Sequence, residues 1–260
     1  MDINGRIYSK RHYPSPNPHI RLSEITYWSE GLRVKGLLAE PISPGAYDGV
    51  LYLRGGIQNV GSVRPARIAQ IASQGFIVFA PYYRGNRGGE GKDGFVGEDR
   101  YDAVNGVDVL RRFCNPTSKV HVFSFSRGGA MALWTAILRD DLTSVVTWAG
   151  VSDIEAIYWE RSDMRRMMKR VIGGTPNHVK QAYEERTPLY SMDQIQVPVL
   201  IIHGINDENV PVEHAMKVET ALKQVGKEVE SWYYEGFAHL FLPAVNRQVV
   251  QKVCRWMKAH

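Results

Sequence analysis

The sequence Lys119-Val-His-Val-Phe-Ser-Phe-Ser-Arg-Gly-Gly129 decides how this chain folds. An apolar run of β-branched and aromatic residues at 120–123 predicts a buried strand. Residues 130–138, Ala-Met-Ala-Leu-Trp-Thr-Ala-Ile-Leu, predict a helix directly after the two glycines. A strand that turns into a helix within so few residues strains the residue at the bend and needs small neighbours around it. We predict that Ser126 occupies this bend.

The residues around this bend resemble a nucleophile elbow, a pattern written G-x-S-x-G. Here the pattern reads Ser124-Phe125-Ser126-Arg127-Gly128, so a serine stands where the first glycine is expected. Because serine is also small, we interpret the replacement as tolerable crowding that keeps the motif. The alternative is an ordinary strand-to-helix turn with incidental serines.

The remaining sequence alternates between short apolar stretches and helical patterns. Apolar runs that predict strands recur at residues 20–28, 32–39, 49–53, 76–80, 145–149, 197–204 and 229–234. Helical patterns recur at residues 68–74, 99–113, 213–225 and 243–257. Alternating buried strands and helices predict the α/β class, with a mostly parallel central sheet and helices on both faces.

We predict a single domain over residues 1–260, because the sequence has no internal repeat and no linker rich in Pro, Gly or Ser. Residues 1–19, which include Pro14, Pro16 and Pro18, predict an extended N-terminal arm on the surface. Residues 152–195 interrupt the strand alternation. They are helical, polar and rich in Met and Tyr, so we expect a lid-like helical excursion over the top of the sheet.

Composition indicates an ordinary globular protein rather than a nucleic-acid-binding or membrane protein. The 260 residues are 44% hydrophobic and 23% charged. The net charge is +5, and the basic residues are scattered among acidic ones. The densest basic cluster, Arg165-Arg166 with Lys169-Arg170, predicts an amphipathic surface helix. No apolar run approaches the roughly 20 residues of a membrane span, and no signal-peptide pattern is present at the N-terminus. We therefore expect a cytoplasmic protein.

Two further features of the sequence argue against a metal site and a nucleotide cofactor. Cys114 and Cys254 are far apart and lack metal-binding spacing, which predicts two buried free thiols. The loop at 82–94 contains five glycines, but it lacks the Gly-Lys-Ser/Thr of a P-loop and the spacing of a dinucleotide fingerprint. We expect no metal and no cofactor.

Three residues with complementary chemistry follow the carboxyl ends of predicted strands. Ser126 follows the elbow strand, Asp207 lies just past the strand that ends at Gly204, and His239 follows the last strand. Active-site groups of open α/β sheets collect at these strand ends, and the order Ser, Asp, His is that of α/β-hydrolases. The alternatives are an exposed loop aspartate and a histidine that closes a turn. We predict that Ser126 is a nucleophile, His239 its base and Asp207 the carboxylate that orients the base.

Several motifs between Tyr47 and the C-terminus together carry a family resemblance. They are Ser126-Arg127-Gly128-Gly129, Tyr83-Arg84-Gly85, Asp99 with Asp102, His203-Gly204 with Asp207 and Val210-Pro211, and Gly236 with His239 and Phe241. With these motifs the chain resembles the prolyl oligopeptidase-like (peptidase family S9) branch of α/β-hydrolases, especially its small bacterial members. It departs from the family at Ser124, where the elbow has glycine, and at Arg54, where many members have the histidine of His-Gly-Gly. We expect no N-terminal β-propeller, since the resemblance begins near Tyr47.

The elbow geometry and the resemblance both imply an oxyanion hole. The backbone N–H of Arg127 is the first expected donor, and that of Gly56, in Arg54-Gly55-Gly56, is the second. The alternative for the two glycines is a plain turn. Tyr158 and Trp159 are the best candidates within the excursion for lining a substrate pocket, although they would serve equally to pack it onto the body.

These observations predict a cytoplasmic serine hydrolase that cleaves an ester or amide bond through an acyl-enzyme. Small carboxylic esters are the expected substrates, because neither a gating propeller nor paired carboxylates for a peptide amino terminus are visible. The alternatives are an S9-type peptidase of short peptides and a catalytically silent hydrolase fold that only binds. The expected partner is a small-molecule ester or short peptide, with no nucleic acid and no membrane. The oligomeric state is open, and a homo-oligomer is among the alternatives.

Overall fold

The protein is built around one mixed β-sheet, and the computed structural model describes residues 3–58 and 60–260. The strands are β1 (Ile7–Tyr13), β2 (Ile20–Ser29), β3 (Leu32–Pro41), β4 (Asp48–Leu53), β5 (Phe76–Pro81), β6 (Val120–Phe125), β7 (Ser144–Trp148), β8 (Val199–Gly204) and β9 (Val229–Tyr234). They lie side by side in the order β1-β2-β3-β5-β4-β6-β7-β8-β9. β4 to β9 run parallel to one another, whereas β1, β2 and β3 are joined by antiparallel pairing. The predicted mostly parallel sheet is confirmed.

Helices cover both faces of this sheet. Their bounds are α1 (Pro65–Ala72), α2 (Arg100–Arg111), α3 (Gly128–Leu138), α4 (Ile154–Glu160), α5 (Arg165–Ile172), α6 (Lys180–Glu184), α7 (Glu213–Gln224) and α8 (Pro243–Ala259), with a 3₁₀ helix at Pro188–Gln194. Side chains of α1 and α8 pack on one face, whereas those of α2, α3 and α7 pack on the other. The central strands are therefore buried on both sides, which explains why their sequences are continuous apolar runs.

The predicted N-terminal arm is partly a strand, so this prediction needs correction. Residues 7–13 form β1, which pairs with β2 at the edge of the sheet. The Gly5 amide also donates to the Trp28 carbonyl at 2.9 Å. The three prolines that suggested an arm all follow β1, and its run Lys10-Arg11-His12 hides the apolar alternation typical of a strand. Residues 1 and 2 of the predicted arm lie outside the described residues.

The excursion over residues 152–195 contains α4, α5, α6 and the 3₁₀ helix. The buried His214 side chain of α7 holds the start of this segment. Its Nδ1 accepts hydrogen bonds from the amides of Ser152 and Asp153, at 3.2 and 3.3 Å, and its Nε2 lies 2.9 Å from Glu160. These contacts fix both ends of α4 against the body of the protein.

The two cysteines are both free thiols, as predicted, but they differ in burial. Cys254 is buried, whereas Cys114 is half-buried. Burial raises the pKa of each thiol to about 12, so both stay protonated near neutral pH.

None of the helices in the described part of the chain has the length and apolar character needed to cross a bilayer.

Candidate active site

The bend between β6 and α3 has the strained geometry that its sequence predicts. Ser126 has φ +57°, a left-handed conformation that non-glycine residues rarely adopt. A β-carbon at Gly128 would overlap the carbonyl oxygen of Leu53, and one at Gly129 would lie 2.6 Å from the α-carbon of Gly150. The two glycines are thus required by the close approach of α3 to neighbouring strands, and Ser126 occupies the predicted bend.

Ser124 has a contact that the sequence does not reveal. Its side chain is fully buried in β6, and its hydroxyl donates a 2.9 Å hydrogen bond to the Val146 carbonyl of the adjacent β7. The replacement of the usual elbow glycine is therefore more than tolerable crowding, because the hydroxyl adds a link between two central strands.

We expect Ser124→Gly to leave the fold intact and to keep kcat/KM within roughly tenfold of the wild type. Loss of the hydrogen bond and the extra freedom of glycine should lower the free energy of unfolding by about 1–2 kcal/mol. Urea unfolding and ester hydrolysis measure the two effects. Ser124→Ala is the matched control, because it removes the hydroxyl without adding backbone freedom. Loss of soluble folded protein on Ser124→Gly would contradict this prediction.

Ser126, His239 and Asp207 lie in one hydrogen-bonded line. His239 Nε2 is 3.2 Å from Ser126 Oγ, and His239 Nδ1 is 2.7 Å from Asp207 Oδ2. The loops after β8 and β9 meet because the Asn206 amide donates to the Phe237 carbonyl at 2.9 Å. The structure thus brings together the three residues that the sequence singled out at separate strand ends.

Asp207 is held in its ionised form. The amides of Asn209 and Val210 donate to its Oδ1 at 2.9 and 3.0 Å, and His203 Nε2 lies 3.5 Å from its Oδ2. Burial alone would raise the pKa of Asp207, but the hydrogen bonds from His203, His239 and Val210 outweigh burial and hold this pKa well below its usual range. The stabilisation is present above the pKa of an unfolded aspartate and is lost only as the pH falls through the lower folded value. Asp207 therefore stays ionised at every pH at which a histidine base works.

This ionised carboxylate fixes the protonation pattern of His239. Because Asp207 can only accept, the proton of neutral His239 sits on Nδ1, and the lone pair on Nε2 faces Ser126 Oγ. The ring of Phe125 packs against the imidazole with centroids 4.9 Å apart. The arrangement can remove a proton from a serine hydroxyl and return it to a leaving group.

The backbone beside Ser126 is built for close approach. A β-carbon at Gly55 would lie 2.6 Å from that of Ser126, so only glycine fits there. Gly56 has φ +66°, and both glycines line the same cavity as Ser126 and Arg127. Arg127 directly precedes α3, where the first amides of a helix have no helical acceptors. Arg127 and Gly56, whose N–H groups are the two predicted oxyanion donors, therefore both line the cavity beside Ser126.

A buried cluster of charges supports this backbone, and its central acid was not predicted. Asp93 accepts from Arg127 Nη1 at 2.6 Å and Nη2 at 3.3 Å, and lies 3.6 Å from Arg54 Nη2. The side chains of all three residues are at most 3% exposed. Arg54 also donates to the carbonyls of Gly55 and Tyr82, each at 2.9 Å. We name this set of Arg54, Asp93 and Arg127 the arginine clamp.

The arginine clamp remains charged despite its burial. Burial would raise the pKa of Asp93, but the adjacent Arg127 guanidinium lowers it overall. Burial lowers the pKa of Arg54 to about 10, which still leaves it protonated at neutral pH. Both guanidinium groups also lie over the Tyr83 ring, 5.0 and 4.9 Å from its centroid. Arg54, a departure from the family pattern, is thus joined through Asp93 to Arg127, the residue that follows Ser126.

A cavity of about 560 Å³ opens over Ser126. Its apolar lining includes Ile157, Met164 and Met167 of the excursion, together with Val151, which directly precedes it. The structure does not bring Tyr158 or Trp159 into this lining: Tyr158 is buried against Tyr183, and Trp159 is 46% exposed. On α4 and the following turn, Ile157 and Arg161 face the cavity, four residues apart, and Tyr158 is turned away by one helical step.

Comparison with known proteins extends the likeness over almost the whole chain. The family model described as "Prolyl oligopeptidase family" matches residues 62–260. Uncharacterized peptidase YtmA of Bacillus subtilis (strain 168) is 55% identical over 254 residues, which cover 97% of this chain and 99% of that protein. Acylamino-acid-releasing enzyme 2 of Oryza sativa subsp. japonica is 24% identical over 231 residues, which cover 81% of this chain and 30% of that protein.

Solved structures share the fold at low sequence identity. An acylaminoacyl peptidase of Pyrococcus horikoshii matches with a TM-score of 0.77 and 20% identity, covering 99% of this chain and 43% of that one. Acetyl xylan esterase from Paenibacillus sp. R4 matches with a TM-score of 0.75 and 17% identity, covering 97% and 88% respectively. These matches confirm the α/β-hydrolase fold. With the family model matching from residue 62 to residue 260, the chain belongs to the prolyl oligopeptidase family and is a serine hydrolase.

Proposed function

We propose that this protein hydrolyses small carboxylic esters through an acyl-enzyme on Ser126. The observation that carries the proposal is the line from Asp207 through His239 to Ser126, with hydrogen-bond distances of 2.7 and 3.2 Å. The left-handed backbone of Ser126 presents its hydroxyl at the cavity, and the apolar wall from the excursion offers space for an acyl group.

In the first half-reaction, Ser126 Oγ attacks the ester carbonyl carbon while His239 Nε2 takes the hydroxyl proton. The carbonyl oxygen becomes an oxyanion, which accepts hydrogen bonds from the N–H groups of Arg127 and Gly56. Asp207 stabilises the imidazolium without taking its proton. The tetrahedral intermediate collapses, the bond to the leaving-group oxygen breaks, and His239 donates its proton to that oxygen. Water then attacks the acyl-enzyme by the same steps and releases the acid and Ser126.

The charges around the cavity favour an ester over a peptide substrate. Among the described residues that line the cavity, Asp163 is the one acid, and it pairs with Arg161 at 2.7 Å. No unpaired carboxylate in that lining would hold the amino terminus of a peptide. Amide hydrolysis needs tighter positioning and a stronger push on the leaving group than ester hydrolysis does. A second candidate, cleavage of short peptides, is favoured by the name of the Bacillus relative, a peptidase.

One enzyme preparation tested on two substrate classes decides between these candidates. We expect kcat/KM for p-nitrophenyl butyrate to exceed that for aminoacyl and prolyl nitroanilides by about tenfold or more. The Ser126→Ala variant supplies the background rate for each substrate. Faster turnover of nitroanilides would make the protein a peptidase. If neither class is hydrolysed and a fluorophosphonate fails to label Ser126, the proposed chemistry is wrong.

A further inference from the structure

The active-site cavity has a second end, which the proposed ester hydrolysis leaves unused. It is lined by Tyr52, Arg64, Arg67, Phe241 and Asn246, none of which belongs to the excursion. Arg67 and Phe241 both lie against Trp148: the guanidinium is 6.0 Å from a ring centroid of Trp148, and the two aromatic rings are 5.1 Å apart. This end is therefore bounded by α1 on one side and by the start of α8 on the other.

The charge along the cavity is unbalanced at this end. Five arginines line the cavity, namely Arg54, Arg64, Arg67, Arg127 and Arg161. Asp93 pairs with two of them in the arginine clamp, and Asp163 pairs with Arg161. Arg64 and Arg67 have no acid within 4.0 Å in the described part of the chain. Two positive charges thus face this end of the cavity without a counter-charge.

Arg67 is held in place by neutral groups. Its Nη1 donates to Gln70 Oε1 at 3.2 Å, and its charge lies near the hydroxyl of Tyr52, a side chain that is 8% exposed. A guanidinium carries five N–H donors, so these neutral neighbours leave donors free. A half-buried arginine with a fixed orientation and spare donors is suited to bind an anion through two parallel hydrogen bonds.

The position of His239 indicates which part of a substrate reaches this end. His239 returns its proton to the leaving group, so the leaving group must lie on its side of the cavity. Phe241, two residues further along the chain, lines the same end as Arg67. The acyl group then extends towards the opposite, apolar end, at Ile157, Met164 and Met167.

Resting on the proposed function, we propose that this protein is selective for substrates whose leaving group carries an anion, which Arg67 and Arg64 bind. A carboxylate on a hydroxy acid, a carboxylate on an amino acid and a phosphate share this chemistry. The anion remains on the product alcohol or amine, so no further reactant is involved. An anionic leaving group supplies the counter-charge that Arg64 and Arg67 lack. The apolar end of the cavity accepts an uncharged acyl group.

The proposal is tested with a pair of esters of similar shape, one with an anionic and one with a neutral leaving group. This pair is 4-butyryloxybenzoate and 4-butyryloxybenzamide. Two further probes, 4-butyryloxyphenyl phosphate and N-butyryl-4-aminobenzoate, test a phosphate as the anion and an amide as the bond cleaved. We expect kcat/KM of the wild type for 4-butyryloxybenzoate to exceed that for 4-butyryloxybenzamide by about tenfold, as a charge-assisted hydrogen bond allows. Arg67→Gln should remove most of this preference, and Arg67→Lys should restore part of it. Arg247→Gln, an exposed arginine outside the cavity lining, should leave the preference unchanged.

A binding measurement separates this proposal from the hydrolytic one. Calorimetry with Ser126→Ala should show tighter binding of 4-butyryloxybenzoate than of the benzamide, and a second change, Arg67→Gln, should abolish the difference. If Arg67→Gln fails to fold, Arg64→Gln, at an exposed position, serves in its place with a smaller expected loss. Equal binding of the two probes overturns the anion subsite even if esters are hydrolysed. A charge preference in binding without any hydrolysis supports the subsite and rejects the proposed function.

Discussion

Replacing Ser126 by alanine is expected to lower kcat for ester hydrolysis by about 10³-fold or more, because no acyl-enzyme can form. His239→Ala should have a similar effect, since in the described part of the chain His239 is the base that lies within hydrogen-bond reach of Ser126 Oγ. Asp207→Asn should be somewhat milder, because the imidazole stays in place but loses the charge that fixes its tautomer. Combining the changes should add little, as the three side chains act as one unit.

Initial rates with p-nitrophenyl butyrate measure this prediction, and fluorophosphonate labelling followed by peptide mapping locates the activated serine. Ser124→Ala is the control, because it removes a buried hydroxyl two residues away that donates to the Val146 carbonyl. It should keep both activity and labelling. Retention of more than about a tenth of the wild-type rate by Ser126→Ala would contradict the assignment, since triad serines contribute far more than this.

The second large effect is expected at Asp93, the acid of the arginine clamp. Asp93→Asn should lower the free energy of unfolding by about 3–5 kcal/mol, because two buried guanidinium groups lose the charge that both contact. The kcat should fall by about 10²-fold, as expected for an oxyanion hole that loses one aligned donor. The reason is geometric: Arg54 donates to the Gly55 carbonyl, and Arg127 is itself one of the two proposed oxyanion donors.

Asp141→Asn is a matched control for this prediction. Asp141 also pairs with two arginines, Arg111 and Arg139, each at 2.7 Å, but about a third of its side chain is exposed. Solvent screens such a pair, so the change should cost about 1 kcal/mol or less and leave kcat unaltered. Urea unfolding measures the stability of both variants. An Asp93→Asn enzyme with the stability and kcat of Asp141→Asn would show that the arginine clamp does not position the oxyanion hole.

The order of elements and the three aligned residues could be predicted because each has a local signature. Ser126 lies at a strand-to-helix bend with glycines required by close packing, and Asp207 and His239 each follow an apolar strand. Local patterns of this kind can be recognised in a single sequence. The strand β1 lacks such a pattern, because polar and basic residues occupy most of its positions.

The pairing within the arginine clamp could not be predicted, because nothing local in the sequence relates Asp93 to its two partners. Asp93 lies in a glycine-rich loop, where an acid usually faces solvent. The prediction of the residues that line the cavity was wrong for a different reason. Aromatic size favoured Tyr158 and Trp159, whereas the direction of the helix decides which side chains face the cavity, and it selects Ile157.

The edge position of β1 has a consequence for how copies of this protein meet. An edge strand presents unpaired backbone N–H and C=O groups to which a second chain can add a strand. On β1, Arg11 pairs with no acid in the described part of the chain, whereas the neighbouring Lys10 pairs with Glu40, so two copies aligned at this edge would bring their Arg11 charges together. Edge-to-edge growth of the sheet into larger aggregates is thereby opposed on this side, and the opposition should weaken as salt screens the charges.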